Sequence, residues 1–439
     1  MIERVTSTPQ SDHSGPCRVL GCSNLICLLV GGVALVSATP RVAWAAGFAI
    51  MAQGAAATGK SSAFTAQADD PSALYYNPAG IARLSGTAFL IGSSVIVPRT
   101  VYQPVAGRPA REEPRAFFVP HLYLTHSLPN GLTAGLGFFA PFGLATDWPE
   151  DWDGRFQVTH VSIQAATVNP AVAWEPLSGL AVGAGVSASY VRIKQRRALN
   201  LAVFGPATPE GAVSLGGNAI GLGLNAGLLM TPSDLWSVGV SVRSRIHTEV
   251  KDGRADLSVP GSVPPMFADG SFRTELDLPP SLRVGFLVRP FPEWNVEVDA
   301  AWTGWSTIDR LDVEFSNGLP PDRMDFLWSD SMTYSIGTEY RGSSLRARAG
   351  YTYDATPIPD GTINPLLPDG NRQWVAVGLG AERERWVVDG AYQLALFERT
   401  KDNAIGDRFN SAVPAIDARA NGRYRTRAHV FGVSVAYRF

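Results

Sequence analysis

The C-terminal nine residues constrain the fold of this chain more than any other segment. Apolar or aromatic side chains occupy every second position: Phe431, Val433, Val435, Tyr437 and the terminal Phe439. Side chains of a β-strand alternate between its two faces, so these residues share one face and the small or polar residues between them share the other. A half-buried strand of a soluble β-sandwich has this pattern, and so does a strand whose apolar face contacts lipid. The remaining sequence must distinguish them.

Composition excludes several classes of function. Charged residues make up 17% of the 439 residues and the formal net charge is -2, whereas soluble domains average about 25% charged residues. Without a basic excess, we expect no nucleic-acid binding. The six histidines show no metal-ligand spacing, so no metal or other cofactor is expected. No Gly-x-Ser-x-Gly elbow occurs, which argues against a lipase and leaves no catalytic residue to nominate.

The N-terminus reads as a secretory signal peptide, residues 1–45. An apolar run from Leu25 to Ala38 precedes Ala43-Trp44-Ala45, and we expect cleavage after Ala45. The run is shorter than the roughly 20 apolar residues of a transmembrane helix. All three cysteines lie in this segment, at Cys17, Cys22 and Cys27. The mature chain would therefore contain no disulfide and no cysteine nucleophile.

Beyond residue 85 the sequence predicts a barrel. Period-two patterning indicates about fourteen strands, at 86–98, 115–128, 131–141, 160–175, 178–197, 213–231, 235–251, 272–289, 293–308, 332–341, 343–354, 373–383, 386–399 and 424–439. Short and long connections alternate, which is typical of outer-membrane barrels. Lipid tolerates no open sheet edge, so we predict an all-β transmembrane antiparallel barrel over residues 86–439. Interfacial aromatic girdles would include Trp236, Trp294, Trp302, Trp305, Trp374 and Trp386.

Residues 46–85 differ from the barrel region, because they are small and show no strand pattern. Eight strands fill their own interior and sixteen leave a water channel, so about fourteen would need a plug. We therefore predict an N-terminal hatch inside the lumen. A flexible periplasmic extension is the alternative, since Asn77-Pro78 is also a common turn dipeptide.

Several short motifs resemble the outer-membrane long-chain fatty acid transporter family of the FadL type, which includes hydrocarbon importers. They are Ala46-Gly47-Phe48, Ala68-Asp69-Asp70, Asn77-Pro78-Ala79-Gly80, Pro141-Phe142-Gly143-Leu144-Ala145-Thr146, Val168-Asn169-Pro170-Ala171-Val172-Ala173, Leu278-Pro279-Pro280-Ser281-Leu282, Trp302-Thr303-Gly304-Trp305-Ser306 and Asp354-Ala355-Thr356-Pro357-Ile358-Pro359. The resemblance implies a fourteen-stranded barrel with a hatch in a Gram-negative outer membrane. It also implies passive transport of a long-chain fatty acid or other hydrophobic molecule, with lateral release through the wall. In the family, the first mature residues, here Phe48, reach the binding site, and Asn77 and Pro78 would fix the hatch.

Apolar residues near the third strand form the expected capture groove. They are Phe138, Phe139, Phe142, Leu144, Trp148, Trp152, Phe156 and, in the next long loop, Phe204. Exposed apolar groups in this number usually mark a binding site, although the two loops could simply pack on each other. Pro141 cannot donate a ladder hydrogen bond, so with Gly143 it predicts a strand kink and a lateral opening. Alternatively, Pro141 only ends the strand.

The resemblance places Arg197 at the family's carboxylate-proximal arginine, and an arginine fork suits a carboxylate. The family's second basic residue has no match; Arg323 is near but unaligned. An importer of uncharged alkanes or alkylbenzenes therefore stays open, as does a porin for polar solutes. Rim arginines also contact lipopolysaccharide, so outer-membrane lipid and lipopolysaccharide are expected partners. We further expect a monomer whose terminal Phe439 engages the barrel-assembly machinery.

Overall fold

The computed structural model describes residues 47–439 apart from 106, 206, 262, 264–266 and 403–419. The predicted signal peptide lies outside the described residues. No helix in the described ranges is long and apolar enough to cross a membrane. The strands are β1 Thr87–Pro104, β2 Ala110–Arg111, β3 Phe117–Ser127, β4 Leu132–Asp147, β5 His160–Leu177, β6 Leu180–Leu199, β7 Gly211–Ser233, β8 Trp236–Arg243, β9 Glu249–Ser258, β10 Gly270–Glu275, β11 Ser281–Phe291, β12 Trp294–Thr303, β13 Arg310–Phe315, β14 Asp322–Asp325, β15 Ser331–Arg341, β16 Leu345–Asp354, β17 Arg372–Arg383, β18 Trp386–Lys401 and β19 Gly422–Arg438.

These strands form one closed antiparallel barrel. Each barrel strand pairs with its neighbour, and β19 returns to pair with β1 along its whole length, with Phe431 opposite Val95. Four barrel strands consist of two segments each, β8 with β9, β10 with β11, β12 with β13, and β14 with β15. The count is therefore fourteen, with β2 as a short addition. The predicted all-β barrel is confirmed.

The barrel exterior is apolar, as the C-terminal alternation predicted. Phe431 and Val433 are 49% and 56% exposed, while their neighbour Ser434 is 2% exposed. Because the sheet closes on itself, the soluble sandwich is excluded. Trp294 and Trp386 are exposed near strand ends. The girdle prediction was wrong for Trp305, which is fully buried.

Several strand predictions needed correction: the predicted strand 235–251 is broken at 244–248 into β8 and β9, and the predicted strand 293–308 ends at Thr303. Strand β4 was predicted to end at Pro141, but it continues to Asp147 with a shift of its register against β5 between Phe139 and Phe142. A proline carbonyl still accepts a hydrogen bond, so a bulge can accommodate the missing N–H. The predicted strand 272–289 is broken at 276–280 into β10 and β11, because Pro279-Pro280 supplies no backbone donors.

Residues 47–85, here called the N-terminal segment, pack against the inner faces of the strands. The segment contains helices α1 (Ala55–Gly59) and α2 (Ala73–Tyr76) and a 3₁₀ helix, Pro78–Arg83. Helices this short are marginal alone, so tertiary contacts must hold them. Phe64, Leu74 and Tyr76 are fully buried in one cluster with barrel residues. The segment thus shares a core with the barrel wall.

Carboxylates on the inner face of β12 bind the backbone of the segment. Glu297 accepts hydrogen bonds from the N–H groups of Ala66 (2.6 Å) and Gln67 (3.2 Å) and from Lys60 Nζ (2.9 Å). Asp299 Oδ2 accepts from the N–H groups of Phe64 and Thr65, both at 3.1 Å. Burying an N–H without an acceptor is costly, so these contacts hold the segment in place.

Glycines on the wall let the segment approach closely. A Cβ at Gly239 would lie 2.1 Å from the carbonyl oxygen of Thr65, and one at Gly350 would lie 2.3 Å from the carbonyl carbon of Lys60. Any larger residue would push the segment inward. The frequent glycines of the sequence therefore have a packing role at these positions.

Candidate functional site

A cavity of about 710 Å³ lies between the start of the N-terminal segment and the barrel wall. Its lining is mainly apolar and comes from residues 47–52, from β1, β3, β4, β5, β6, β17, β18 and β19, and from residues of the connections. Phe48, Phe142, Leu144, Ile163 and Phe397 are among its lining residues. A cavity of this size and character is typical of sites for small hydrophobic ligands.

The wall is interrupted beside this cavity. Strand β3 pairs with β4 only over Leu122–Ser127. The first part of β3, Phe117–His121, pairs with β1 alone, and β4 from Phe139 to Asp147 pairs with β5. No ladder joins β3 and β4 over that stretch. Phe118 and Phe138, 73% and 37% exposed on the outer face, also line the cavity, so the cavity extends through the wall.

The N-terminal segment pairs with the edge of β4 at this interruption. The N–H of Ile50 donates to the carbonyl of Pro141 at 2.8 Å, and the N–H of Gly143 donates to the carbonyl of Phe48 at 2.9 Å. The Gln53 amide also donates to the carbonyl of Ala140 at 2.6 Å. An unpaired strand edge in the barrel would otherwise leave its backbone groups unsatisfied. The segment replaces β3 as the partner of β4 here.

Phe48 anchors an aromatic cluster beside the cavity. Its ring centroid lies 4.9 Å from that of Trp305, 5.8 Å from Phe142 and 6.0 Å from Trp328. Edge contacts of this kind add to the area buried. Trp305 and Trp328 were not predicted at this site. Neither local pattern nor spacing signals them, since barrel closure alone brings them to Phe48.

The other predicted groove residues do not all line one cavity. Phe138, Phe142, Gly143 and Leu144 line the large cavity with Phe48, while Phe139 and Pro141 line a smaller one of about 50 Å³. Trp148 and Trp152 stack at 4.6 Å and pack on Tyr102 and Tyr424. Phe156 is buried, and Phe204 is 41% exposed with its ring 5.5 Å from Phe267. These last four residues are not part of the lining of either cavity.

Arg197, the predicted carboxylate contact, is buried and faces an acid of its own chain. Its Nη2 donates to Asp322 Oδ2 at 2.7 Å, and both side chains are at most 2% exposed. Arg323 follows Asp322 in the chain, but its side chain is 46% exposed and its Nε lies 3.4 Å from Asp312 Oδ1. Neither arginine lines the large cavity. A substrate carboxylate at Arg197 would have to compete with Asp322.

Charges around the large cavity are mostly compensated. Arg115 pairs with Asp147 at 2.9 Å and Arg372 with Asp369 at 2.7 Å. Two lining groups are exceptions in the part of the chain described: Glu112, between β2 and β3, pairs with no Lys or Arg, and Arg192 of β6 pairs with no Asp or Glu. Burial raises the pKa of the Glu112 carboxyl to about 7. The large cavity thus gains one negative charge as the pH rises through about 7.

Asn77 and Pro78, the predicted hatch motif, lie against β6 and β7. The Asn77 amide donates to the carbonyls of Thr65 (2.9 Å) and Leu228 (3.0 Å), and its Oδ1 accepts from the N–H of Ala79. Pro78 begins the 3₁₀ helix, where its lack of an N–H costs nothing. The motif joins two parts of the segment to the wall.

A closed barrel with an apolar exterior and an apolar cavity through its wall belongs to the class of outer-membrane transport barrels. Sequence comparison gives the family. The family model described as outer membrane protein transport protein (OMPP1/FadL/TodX) matches residues 35–439. The chain belongs to this family, and it is a Gram-negative outer-membrane protein.

Individual relatives agree with this assignment. The long-chain fatty acid transport protein of Escherichia coli O6:H1 is 24% identical over 389 residues, covering 80% of this chain and 86% of the relative. A Pseudomonas aeruginosa FadL homologue has a similar structure, with a TM-score of 0.79, 19% identity and coverage of 90% and 100%. The Pseudomonas putida toluene transporter TodX gives a TM-score of 0.66, 19% identity and coverage of 84% and 93%. At these identities the structural matches show the fold alone.

Proposed function

We propose that this protein carries long-chain fatty acids or similar hydrophobic molecules passively across the outer membrane, and that it is not an enzyme. The observation that carries the proposal is the apolar cavity of about 710 Å³ whose lining includes the exposed Phe118 and Phe138. An apolar molecule there can move sideways into lipid through the interruption between β3 and β4. Burial of its hydrocarbon at about 25 cal/mol per Å² drives entry from water.

The route would begin at the outer loops and end in the membrane. Phe48 and Phe142 form one side of the cavity, and Gly143 and Leu144 continue it along β4. A fatty acid leaving this cavity would not cross a water-filled pore. The register of β4 against β5 shifts beside Pro141. This shift supports the proposal that β4 is kinked there and that the kink opens the wall.

An importer of uncharged hydrocarbons is the second candidate. Two observations favour it: Glu112 brings an uncompensated acid to the cavity, and Arg197 is engaged by Asp322. A relative in the fold comparison is a toluene transporter. The two candidates differ in whether the carboxylate of the ligand contributes to binding.

Binding to detergent-purified protein tests the proposal. Oleate should bind and should be displaced by a long-chain alkane if both occupy the large cavity. Stronger binding of oleate than of the alkane would favour fatty acids, and equal binding would favour hydrocarbon import. Binding of neither ligand would contradict the proposal.

We also propose that residues 46–85 act as a hatch. The contacts of Glu297 and Asp299 with the segment support this role, as do the bonds of Asn77 to Thr65 and Leu228. A segment held at this many points would stop polar solutes, unlike the lumen of a general porin. The proposal assumes that residues 1–45 are removed as a signal peptide.

The pH dependence of binding is predicted from Glu112. As pH rises from 6 to 8, its carboxyl loses a proton, because burial raises its pKa to about 7. Unit charges about 16 Å apart repel by about 1 kcal/mol at an effective dielectric constant of ~20. We therefore expect oleate to bind several-fold more weakly at pH 8, and less so in Glu112→Gln. Ionisation of oleate itself is common to both proteins, so identical pH profiles would contradict the prediction.

We propose that arginines of β1 and β19 bind phosphate groups of lipopolysaccharide. Arg99 lies directly opposite Arg427, both are exposed, and neither pairs with an acid among the residues described. Like charges opposite each other destabilise a sheet, and phosphate is a strong partner for arginine. On the outer face of β1, the apolar Val97 lies two residues closer than Arg99 to the barrel end that carries the short turns. On β19, Phe431 lies four residues closer to that end than Arg427. The two arginines would therefore lie at the headgroup level of the outer leaflet.

Replacing both arginines by glutamine should lower the amount of lipopolysaccharide that copurifies with the barrel by several-fold. Arg385→Gln, at the turn between β17 and β18, is the control and should leave it unchanged. Equal lipopolysaccharide in all three proteins would contradict the prediction. We also propose that the barrel is a monomer and that its terminal Phe439 engages the barrel-assembly machinery.

A further inference from the structure

Two arginines lie side by side on the inner face of the wall, where they line the smaller cavity. Arg243 ends β8 and Arg283 is in β11, two residues after Ser281, the partner of Arg243. Their guanidinium carbons lie 5.1 Å and 5.3 Å from the centroid of the Tyr75 ring. One aromatic ring of the N-terminal segment thus contacts both cations.

Few protein groups satisfy these guanidinium groups. Arg243 Nη2 donates to the carbonyls of Leu74 (3.1 Å) and Tyr75 (2.8 Å), and Arg283 Nη2 donates to the Tyr75 hydroxyl at 3.2 Å. Each guanidinium has five N–H donors. The other donors of both arginines make no hydrogen bond to any described residue, so most of the donor capacity of the pair is available to a ligand.

The pair also lacks a counter-ion. Neither arginine has a carboxylate within 4 Å in the described ranges, unlike two other cations inside the barrel: Lys60 pairs with Glu297 at 2.9 Å and Arg348 with Asp389 at 2.5 Å. Two adjacent cations in a poorly solvated site repel each other. An anion placed between them would relieve that repulsion and satisfy their donors.

Both arginines line the cavity of about 50 Å³, together with the hydroxyl-bearing residues Thr167, Ser187, Ser281 and Thr303. One water needs only about 10–15 Å³ of such space. The cavity can therefore hold a carboxylate group but not a long alkyl chain. Ala49 and Phe142 line this cavity and the large one alike, so the two spaces are neighbours separated by these side chains.

We propose that Arg243 and Arg283 bind the carboxylate of an amphiphilic ligand whose hydrocarbon chain lies in the large cavity. This inference rests on the proposed transport function and assigns its ligand class as long-chain carboxylates. Glu112 lies near the end of β4 that carries the long loop, since the N–H of the next residue, Glu113, donates to the carbonyl of Asp147. The arginine pair lines the small cavity with Phe139 and Pro141, so this placement keeps the head group away from the acid. The head group reaches the pair when the Phe142 ring rotates away from Ala49, which leaves the backbone pairing of the segment with β4 intact.

Binding of oleate and of oleyl alcohol to the purified barrel tests the pair, because the two ligands share a chain and differ in charge. The variants are Arg283→Gln, Arg243→Gln/Arg283→Gln and Arg283→Lys. We expect Arg283→Gln to weaken oleate about 10-fold or more, the range for hydrogen bonds to charged groups. The double variant should weaken it further, and Arg283→Lys should restore part of the affinity. Oleyl alcohol should bind all the proteins within about two-fold.

Arg245→Gln is the matched control, since Arg245, two residues after Arg243, is 58% exposed and pairs with Asp277, which lies between β10 and β11. It should bind both ligands like the wild type. Arg283 is the decisive position, because its one hydrogen bond to the described chain goes to a tyrosine hydroxyl, whereas Arg243 also holds the carbonyls at the end of α2. If the variants bind oleate as the wild type does, the pair is not the carboxylate site and the transport proposal is unaffected. If the wild type binds neither ligand, both proposals fail.

Discussion

Tryptophan in place of Ala140 should reduce oleate uptake by about ten-fold or more. Ala140 lines the large cavity and lies in β4 at the interruption, where β3 no longer pairs. An indole buries about 150–250 Å², so it would occupy the opening through which we expect the ligand to leave. The measurement is the initial rate of labelled oleate uptake by cells with equal amounts of folded barrel, as judged by heat-modifiable migration in gels.

Ala134→Trp is the control for this substitution. Ala134 is on the same strand, six residues earlier, opposite His126 in the part of the wall where β3 and β4 are paired. Its side chain faces outward with Leu136 and Phe138, so a tryptophan there would contact lipid and should leave uptake unchanged. Normal uptake by Ala140→Trp would exclude the interruption as the exit.

Replacing Glu297 by alanine should make the barrel leak polar solutes. The change leaves Lys60 buried with only Gln67 as a partner and removes the acceptor of two N–H groups of the segment. Breaking a buried ion pair costs about 3–5 kcal/mol. Since the lost contacts join the N-terminal segment to β12, the segment should detach for part of the time. Single-channel conductance in planar bilayers measures the leak.

Glu175→Ala provides the matched comparison, because it removes an ion pair of the same segment at a partly exposed site. Arg83 Nε lies 3.7 Å from Glu175 Oε2, and the side chains are 27% and 31% exposed. Exposed pairs contribute about 0–1 kcal/mol, so conductance should stay at the wild-type level. Equal conductance of the Glu297 and Glu175 variants would show that the ion pair does not hold the hatch.

Much of the fold could be predicted, because barrel strands have a local signature. Alternation of apolar and small residues gave the number of barrel strands and their outward faces, as in 431–439. Errors occurred where a local rule has two outcomes. Pro141 was compatible with a strand end or a bulge, and the choice depends on whether another segment satisfies β4, which the residues around Phe48 do.

The site was harder to predict, because its parts are distant in sequence. Phe48 and Phe142 were nominated through the family resemblance, and both line the cavity. In the sequence, Trp305 cannot be distinguished from a tryptophan of the interfacial girdle, yet closure of the barrel buries it against Phe48. Arg243 and Arg283 stand in unremarkable strand sequence, and only the register of β8 with β11 brings them together. Side-chain pairing across a sheet is not encoded by any short motif.

Photoaffinity labelling tests the central claim, occupation of the large cavity, most directly. A fatty acid with a diazirine in its chain would be crosslinked to the purified barrel, and the labelled peptides identified by mass spectrometry. Label that is displaced by oleate should lie in 47–52, 138–146 and 162–166, the segments that line the cavity. If label appears only on the lipid-facing side chains of β7, such as Ile220 and Leu222, and oleate does not displace it, the cavity is not the binding site.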